Sequence, residues 1–358
     1  MERSTSKVLF TSSSNMKKFL QKILLFIWIP IVFIGTNLIV DPSGLFIDLS
    51  EPVEHLKNNN HLGSFTNYDE RSFVKEFLKR SNGEKYDIVV LGSSRSFQIN
   101  TNSFKEKKRL LNLSLSQARL QDLVTIYYLL KINNITYDTL IISIDPDYFF
   151  GKPDYRWRSY ERDYLNALNE FKIQNKLLVS NGVKPSALKQ MLSTDIFKLS
   201  IRKILQNDLK HYELLEDSSG YKGSIKCPDG SLLYPMNKRN SGDKENISQF
   251  LRNKNYFVSN DIIVQRKTLF ESMVEQITST DKEIIFYLSP FSPRLFTINS
   301  LYKNNIELTE TYLKVNLSSY TMIGGFNLNE EYPDSDMFYD LNHPKRSLVN
   351  ELFAKSLD

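Results

Sequence analysis

Apolar residues in this chain fall into three kinds of block. The first is Ile23–Val40 (ILLFIWIPIVFIGTNLIV), which carries no charge; only Pro30, Gly35, Thr36 and Asn37 interrupt its apolar character. About 18–20 such residues span a bilayer core. The second kind is short: Ile88–Leu91, which lacks polar alternation, then Arg109–Ser116 (RLLNLSLS), Tyr137–Ile144 (YDTLIISI), Glu283–Leu288 (EIIFYL) and Tyr320–Phe326. Such runs predict strands buried on both faces. The third kind has helical spacing. Ala118–Asn133 places Leu120, Leu123, Val124, Tyr127 and Tyr128 together, and Val264–Ile277 does the same with Leu269, Phe270, Met273, Val274 and Ile277. A helix near Ile306–Val315 and a last one over Arg346–Leu357, with Leu348, Val349, Leu352 and Phe353, complete the set. Strand, helix, strand in this rhythm predicts an α/β domain with a parallel sheet and helices on its faces.

The rhythm stops at Asp145 and resumes at the helix beginning near Val264. Residues 151–260 between them are polar and partly helical, with a turn signal at Asp229-Gly230, and read as an insertion. Residues 41–80 read as a connector that packs onto the domain, with a helical piece around Phe73–Leu78. The expected organisation is a tail at 1–18, an anchor at 19–40, the connector at 41–80, and a domain in two parts, 81–150 and 261–358, around the insertion.

Charge sharpens this picture. The formal charge is +5, and Arg3, Lys7, Lys17, Lys18 and Lys22 all precede the apolar block. The rest of the chain is therefore close to neutral, which argues against nucleic-acid binding. Lysines before the block predict a cytoplasmic N-terminus, an outward-facing domain and a lipid bilayer around residues 19–40. The block is too long for the apolar region of a secretion signal, and no A-x-A-like site follows, so an uncleaved anchor is expected. Hydrophobic residues make up 41% of the chain, enough for a packed core. One cysteine, Cys227, excludes an internal disulfide framework, and four histidines argue against a multi-histidine metal centre. No cofactor and no metal are expected.

The chemistry centres on Tyr86–Asn100 (YDIVVLGSSRSFQIN). Gly92 breaks the Ile88–Leu91 run, and Ser93 and Ser94 follow at once. A small residue permits a sharp turn at the end of a strand, and the carboxyl ends of parallel strands are where open α/β sheets bind ligands. Ser94 is the candidate nucleophile. A serine hydroxyl needs a base, itself oriented by a third group. His343 in FYDLNHPKRS is the candidate base, with Asp340 three residues earlier. Asp208 and His211 share that spacing, but they sit in a helical stretch of the insertion, whereas Asp340–His343 follows a strand and precedes a helix. Arg95 either contacts a bound carboxylate or phosphate or pairs structurally beside the turn. In Asp147–Tyr164, aromatics and arginines mix; Trp157 and Tyr160 either stack on sugar rings or form a packing face.

The blocks LGSSRS (Leu91–Ser96), NLSLS (Asn112–Ser116) and DLNHP (Asp340–Pro344) resemble the SGNH (GDSL-like) hydrolase superfamily. VDPSGLF (Val40–Phe46) after the anchor, and the strand ending in SPF (Ser289–Phe291), narrow the likeness to membrane-anchored SGNH-like envelope proteins of bacteria: DltD-like proteins and exopolysaccharide O-acetyltransferases. The resemblance implies a three-layer α/β/α flavodoxin-like domain outside the cytoplasmic membrane. It implies a Ser94–His343–Asp340 triad acting as an esterase or O-acyltransferase on acyl groups of an envelope polysaccharide. The family's oxyanion donors would be the N–H of Ser94, a glycine N–H in the second block and an asparagine side chain in the third. This chain departs at two of them. Ser116 or Gln117 stands in place of the glycine, and SIDPD (Ser143–Asp147) replaces the Gly-x-Asn-Asp pattern. The alternative expectation is a non-catalytic DltD-like accessory factor that binds a polymer or a multi-spanning membrane O-acyltransferase.

Overall fold

The computed structural model describes residues 16–24, 26–42, 44, 46–65, 68–151, 154, 156–173, 192–205, 210–254, 261–298 and 300–357. Two compact units emerge: Met1–Ile47 with Val183–His211, and Asp48–Gly182 with Tyr212–Asp358. Asp208, one half of the competing Asp-x-x-His pair, lies outside the described residues.

In the first unit, Met16–Val40 forms one helix of 25 residues, long and apolar enough to cross a membrane. At about 1.5 Å per residue it reaches roughly 37 Å, more than the ~30 Å hydrocarbon core. The helix Thr194–Leu205 packs along it. Phe197 stacks on Phe33 with ring centroids 4.0 Å apart. The Ser200 hydroxyl donates to Asn37 Oδ1 at 2.8 Å, which satisfies the polar residue that interrupts the apolar block.

The second unit is mixed α/β. Its strands in chain order are β1 His61–Gly63, β2 Lys85–Leu91, β3 Leu110–Asn112, β4 Thr136–Ile144, β5 Glu213–Leu215, β6 Ile225–Lys226, β7 Leu232–Leu233, β8 Glu283–Leu288 and β9 Thr321–Gly324. Five of them make a sheet in the order β3-β2-β4-β8-β9, parallel throughout. Alternate residues Ile88, Val90, Ile141, Ile285 and Ile323 meet Leu348, Val349, Leu352 and Phe353 of the C-terminal helix Arg346–Ser356. The residues between them, Val89, Leu91, Leu140, Ile142 and Phe286, are equally buried on the opposite face. Both faces are covered, which is why these runs lack polar alternation. Each such side chain contributes about 1.5–3 kcal/mol by leaving water.

The helices Leu120–Ile132, Val264–Thr278, Leu301–Asn316 and Arg346–Ser356 fall where the apolar spacing predicts them. β3 is shorter than the predicted strand. Past Asn112, Leu113 N–H still donates to Val90 O and Leu115 N–H to Gly92 O, so the run stays beside β2 after leaving regular strand geometry. The small antiparallel sheet β5-β1-β6-β7 has no counterpart in the sequence reading. It joins the connector to the insertion: Leu62 pairs with Leu214 on β5 and with Lys226 on β6.

Candidate active site

The order of the parallel sheet reverses between β2 and β4, which are neighbours although β3 lies between them in the chain. Ligands of open α/β sheets bind outside the carboxyl ends of the strands at such a point. Ser94 follows β2 there. Gly92 is required by close approach: a Cβ at this position would collide with Ser96 Oγ and lie 2.6 Å from Ser143 Cβ. Ser93 caps the short turn Ser94–Ser96 by accepting from Arg95 N–H at 3.2 Å. Of the ten residues from Leu91 to Asn100, Ser94 alone is not buried.

Ser94 Oγ lies 3.0 Å from His343 Nε2. His343 Nδ1 lies 2.7 Å from Asp340 Oδ1, which also accepts the backbone N–H groups of Asn342 and His343 at 3.0 Å each. The loop carrying the pair is closed by Tyr339 N–H to His343 O and Lys345 N–H to Met337 O. Leu341 O accepts from Ser292 N–H, which fixes the loop beside the end of β8. Burial pushes the Asp340 pKa up. The His343 ring, its hydrogen bond, the Asn342 N–H and Lys238 Nζ at 3.6 Å outweigh burial and hold the carboxyl well below the usual carboxylate range. An ionised carboxylate cannot donate, so the proton between Asp340 and His343 belongs to Nδ1. In the neutral tautomer this selects, Nε2 carries no proton and is placed to accept from the Ser94 hydroxyl.

Arg95, Trp157 and Tyr160 take the structural one of the two readings left open by the sequence, since all three are buried. Arg95 is 4% exposed, so it does not present its guanidinium to a substrate. Its Nη1 pairs with Asp145 Oδ1 at 2.9 Å, its Nη2 donates to Ser289 O, and its guanidinium stacks 3.4 Å over the Phe291 ring. It ties the serine turn to the ends of β4 and β8. Trp157 is 2% exposed and packs edge-on against Tyr164 at 5.0 Å, so it is a core residue and offers no face for a sugar. Tyr160 is also buried, and its hydroxyl donates to Asp122.

The parallel bridge Ser93↔Leu115 runs on toward Ser94 and Ser116. Ser116 N–H and its hydroxyl donate to Glu70 at 2.5 and 2.6 Å, so this amide is already engaged. Gln117 has φ 49°, the left-handed conformation that favours glycine, and its N–H has no partner among the described residues. Its side-chain oxygen accepts from Arg156 Nη2 at 2.7 Å. In the third block, Asp145 accepts from Ser93 Oγ and Arg95, and a carboxylate there supplies no donor.

Sequence reasoning missed four residues that border the site. Glu70 comes from the connector. Tyr234, Lys238 and Glu245 come from the insertion: the Tyr234 ring lies 5.8 Å from the His343 ring, and Glu245 accepts from Leu341 N–H at 3.3 Å. Burial, and then Asp340, push the Glu245 pKa up. No periodicity or motif marks these residues; only folding brings them there, Glu70 at the start of the helix Glu70–Arg80 and Glu245 through Arg294, which donates to its carbonyl at 3.0 Å. Among the described residues, no group of three or more His, Cys, Asp or Glu is arranged to hold a metal ion. No protein-family model matches this sequence, and no curated protein matches it either.

Proposed function

We propose that this protein is a membrane-anchored serine acyl-transfer enzyme of SGNH type, an esterase or O-acyltransferase acting on acyl groups of a cell-envelope polysaccharide. The observation that carries the reading is the 3.0 Å separation of Ser94 Oγ and His343 Nε2, with Asp340 behind the ring. The parallel sheet covered on both faces supports a three-layer α/β/α, flavodoxin-like domain. The helix Met16–Val40, with Lys17, Lys18 and Lys22 in its first turns ahead of the uncharged block, supports a single span of the bacterial cytoplasmic membrane with the domain outside.

In the mechanism, Ser94 Oγ bonds to the acyl carbon while its proton passes to His343 Nε2. The carbonyl oxygen takes up the negative charge, and the N–H groups of Ser94 and Gln117 are the donors that would stabilise it. The bond to the leaving oxygen then breaks, and His343 returns the proton to it. Water or an acceptor hydroxyl repeats the sequence on the acyl-serine. Asp340 holds the tautomer and offsets the imidazolium charge.

The test uses the full chain in detergent with a fluorophosphonate probe and an acetyl ester. Labelling that disappears in Ser94→Ala, together with loss of ester cleavage, is the expected result. Equal cleavage by Ser94→Ala and wild type would remove the assignment. One observation favours a second reading: Asp145 stands where an asparagine donor would, and its oxygens are engaged. In that reading the chain is a non-catalytic DltD-like accessory that binds a polymer or a membrane O-acyltransferase, and polymer binding without labelling would establish it.

A further inference from the structure

A cavity of about 330 Å³ opens between the two sheets, lined by Phe73, Phe97, Ser116, Lys226, Tyr234 and Lys238 among others. It borders the triad. Tyr234 flanks the His343 ring, Lys238 reaches Asp340, and Ser116 lies on the loop beside Ser94. At about 30 Å³ per water-sized group, the cavity has room for roughly ten such groups, the size of one sugar or polyol unit.

Lys226 is the anomaly in its wall. It is 8% exposed. Its ammonium donates to Gly230 O at 2.6 Å and lies 5.7 Å from the Phe97 ring centroid. An ammonium has three donors. No carboxylate comes within salt-bridge reach of it among the described residues. Burial pushes the Lys226 pKa down; Glu70, the acid that acts most strongly against this, spends its oxygens on the Ser116 N–H and hydroxyl, so an anion in the cavity is what would hold the charged form. A buried charge is costly without a partner, and buried charges are otherwise paired.

We propose that this cavity is an anion subsite, in which Lys226 pairs with a carboxylate or phosphate on the sugar or polyol unit adjoining the reacting ester. Phe97 and Tyr234 supply the aromatic wall for the ring or carbon chain, and Lys238 adds a second cation at the rim. The place of this subsite in a reaction rests on the acyl-transfer reading; its binding chemistry does not.

The test therefore measures binding of uncleavable probes to the full chain in detergent. Methyl glucuronide is expected to bind at least tenfold more tightly than methyl glucoside, or glycerol 1-phosphate than glycerol, and the preferred pair tells which oxyanion the site takes. In Lys226→Met the preference is expected to vanish in protein that still folds: the apolar chain removes a buried cation, which offsets the lost donor to Gly230 O. If that variant misfolds, Lys226→Gln keeps a donor for Gly230 O and is expected to lose the preference in the same way. No preference in wild type, or a preference that survives either substitution in folded protein, would overturn the proposal. Loss of Ser94 labelling chemistry alone would remove the enzyme reading and leave this result standing.

Discussion

Ser94 Oγ and His343 Nε2 stand 3.0 Å apart although 249 residues separate them in the chain. The contact exists because β2 and the loop after β9 end at the same rim of the parallel sheet. Two groups that act as one unit are not additive when removed. Ser94→Ala and His343→Ala should each lower ester cleavage by about 10³-fold or more, and the double variant should be no slower than the worse single. Neither residue supports the core, so melting temperatures should stay close to wild type. Additive losses in the double variant would show that the two groups act separately.

Asp340 Oδ1 accepts from the ring and from two backbone N–H groups. Asp340→Asn should keep the shape of the loop but lose the preferred tautomer, lowering cleavage by about 10³–10⁴-fold. The same substitution carries a pH signature. The folded-state carboxyl is held below its unfolded value of about 3.9, so its stabilisation is present above that value and is lost as pH falls through the folded one. The variant should be less stable than wild type by about 1.5–3 kcal/mol near neutrality. Thermal melts at a series of pH values should show the gap closing below about pH 4.

The elements legible in the sequence are those whose burial is written into one continuous stretch. Glu283–Leu288 is such a strand, and Arg346–Ser356 is such a helix. The strands β1 and β5–β7 have two or three residues each, too few for any period to register. Their stability comes from pairings such as Leu62 with Lys226, which only the folded chain creates. The site divides in the same way. Ser94 and Asp340–His343 sit beside strand ends that local pattern reveals. The roles of Arg95 and Trp157 depend on Asp145, Phe291 and Tyr164, and nothing near either residue in sequence states that these partners bury it.

Arg95 and Asp145 form a buried pair under the serine turn. Removing one partner strands the other charge, so Arg95→Met or Asp145→Leu alone should cost about 3–5 kcal/mol. The double variant, with both charges gone, should recover a large part of that loss. Either single change should also slow labelling of Ser94, because Arg95 holds the turn against Ser289 and Phe291. Thermal unfolding of the three variants tests the first statement and probe kinetics the second. A double variant as unstable as the sum of the singles would mean the pair is not a closed unit.

Glu70 holds both donors of Ser116, and the neighbouring Arg71 donates to Ser116 O at 3.3 Å while pairing with Asp122. The first turn of the helix Glu70–Arg80 thus clamps the loop on which Gln117 adopts its left-handed backbone. Glu70→Ala leaves two donors without their partner and should cost about 1–3 kcal/mol. Glu70→Gln keeps one acceptor oxygen and should recover part of it. The triad makes no hydrogen bond to Glu70, so both variants should still label at Ser94 within about tenfold of wild type, while turnover, which in the proposed mechanism uses the Gln117 N–H, should fall further, by about 10²-fold in Glu70→Ala. Labelling and turnover falling together would instead make Glu70 part of the nucleophile's own support.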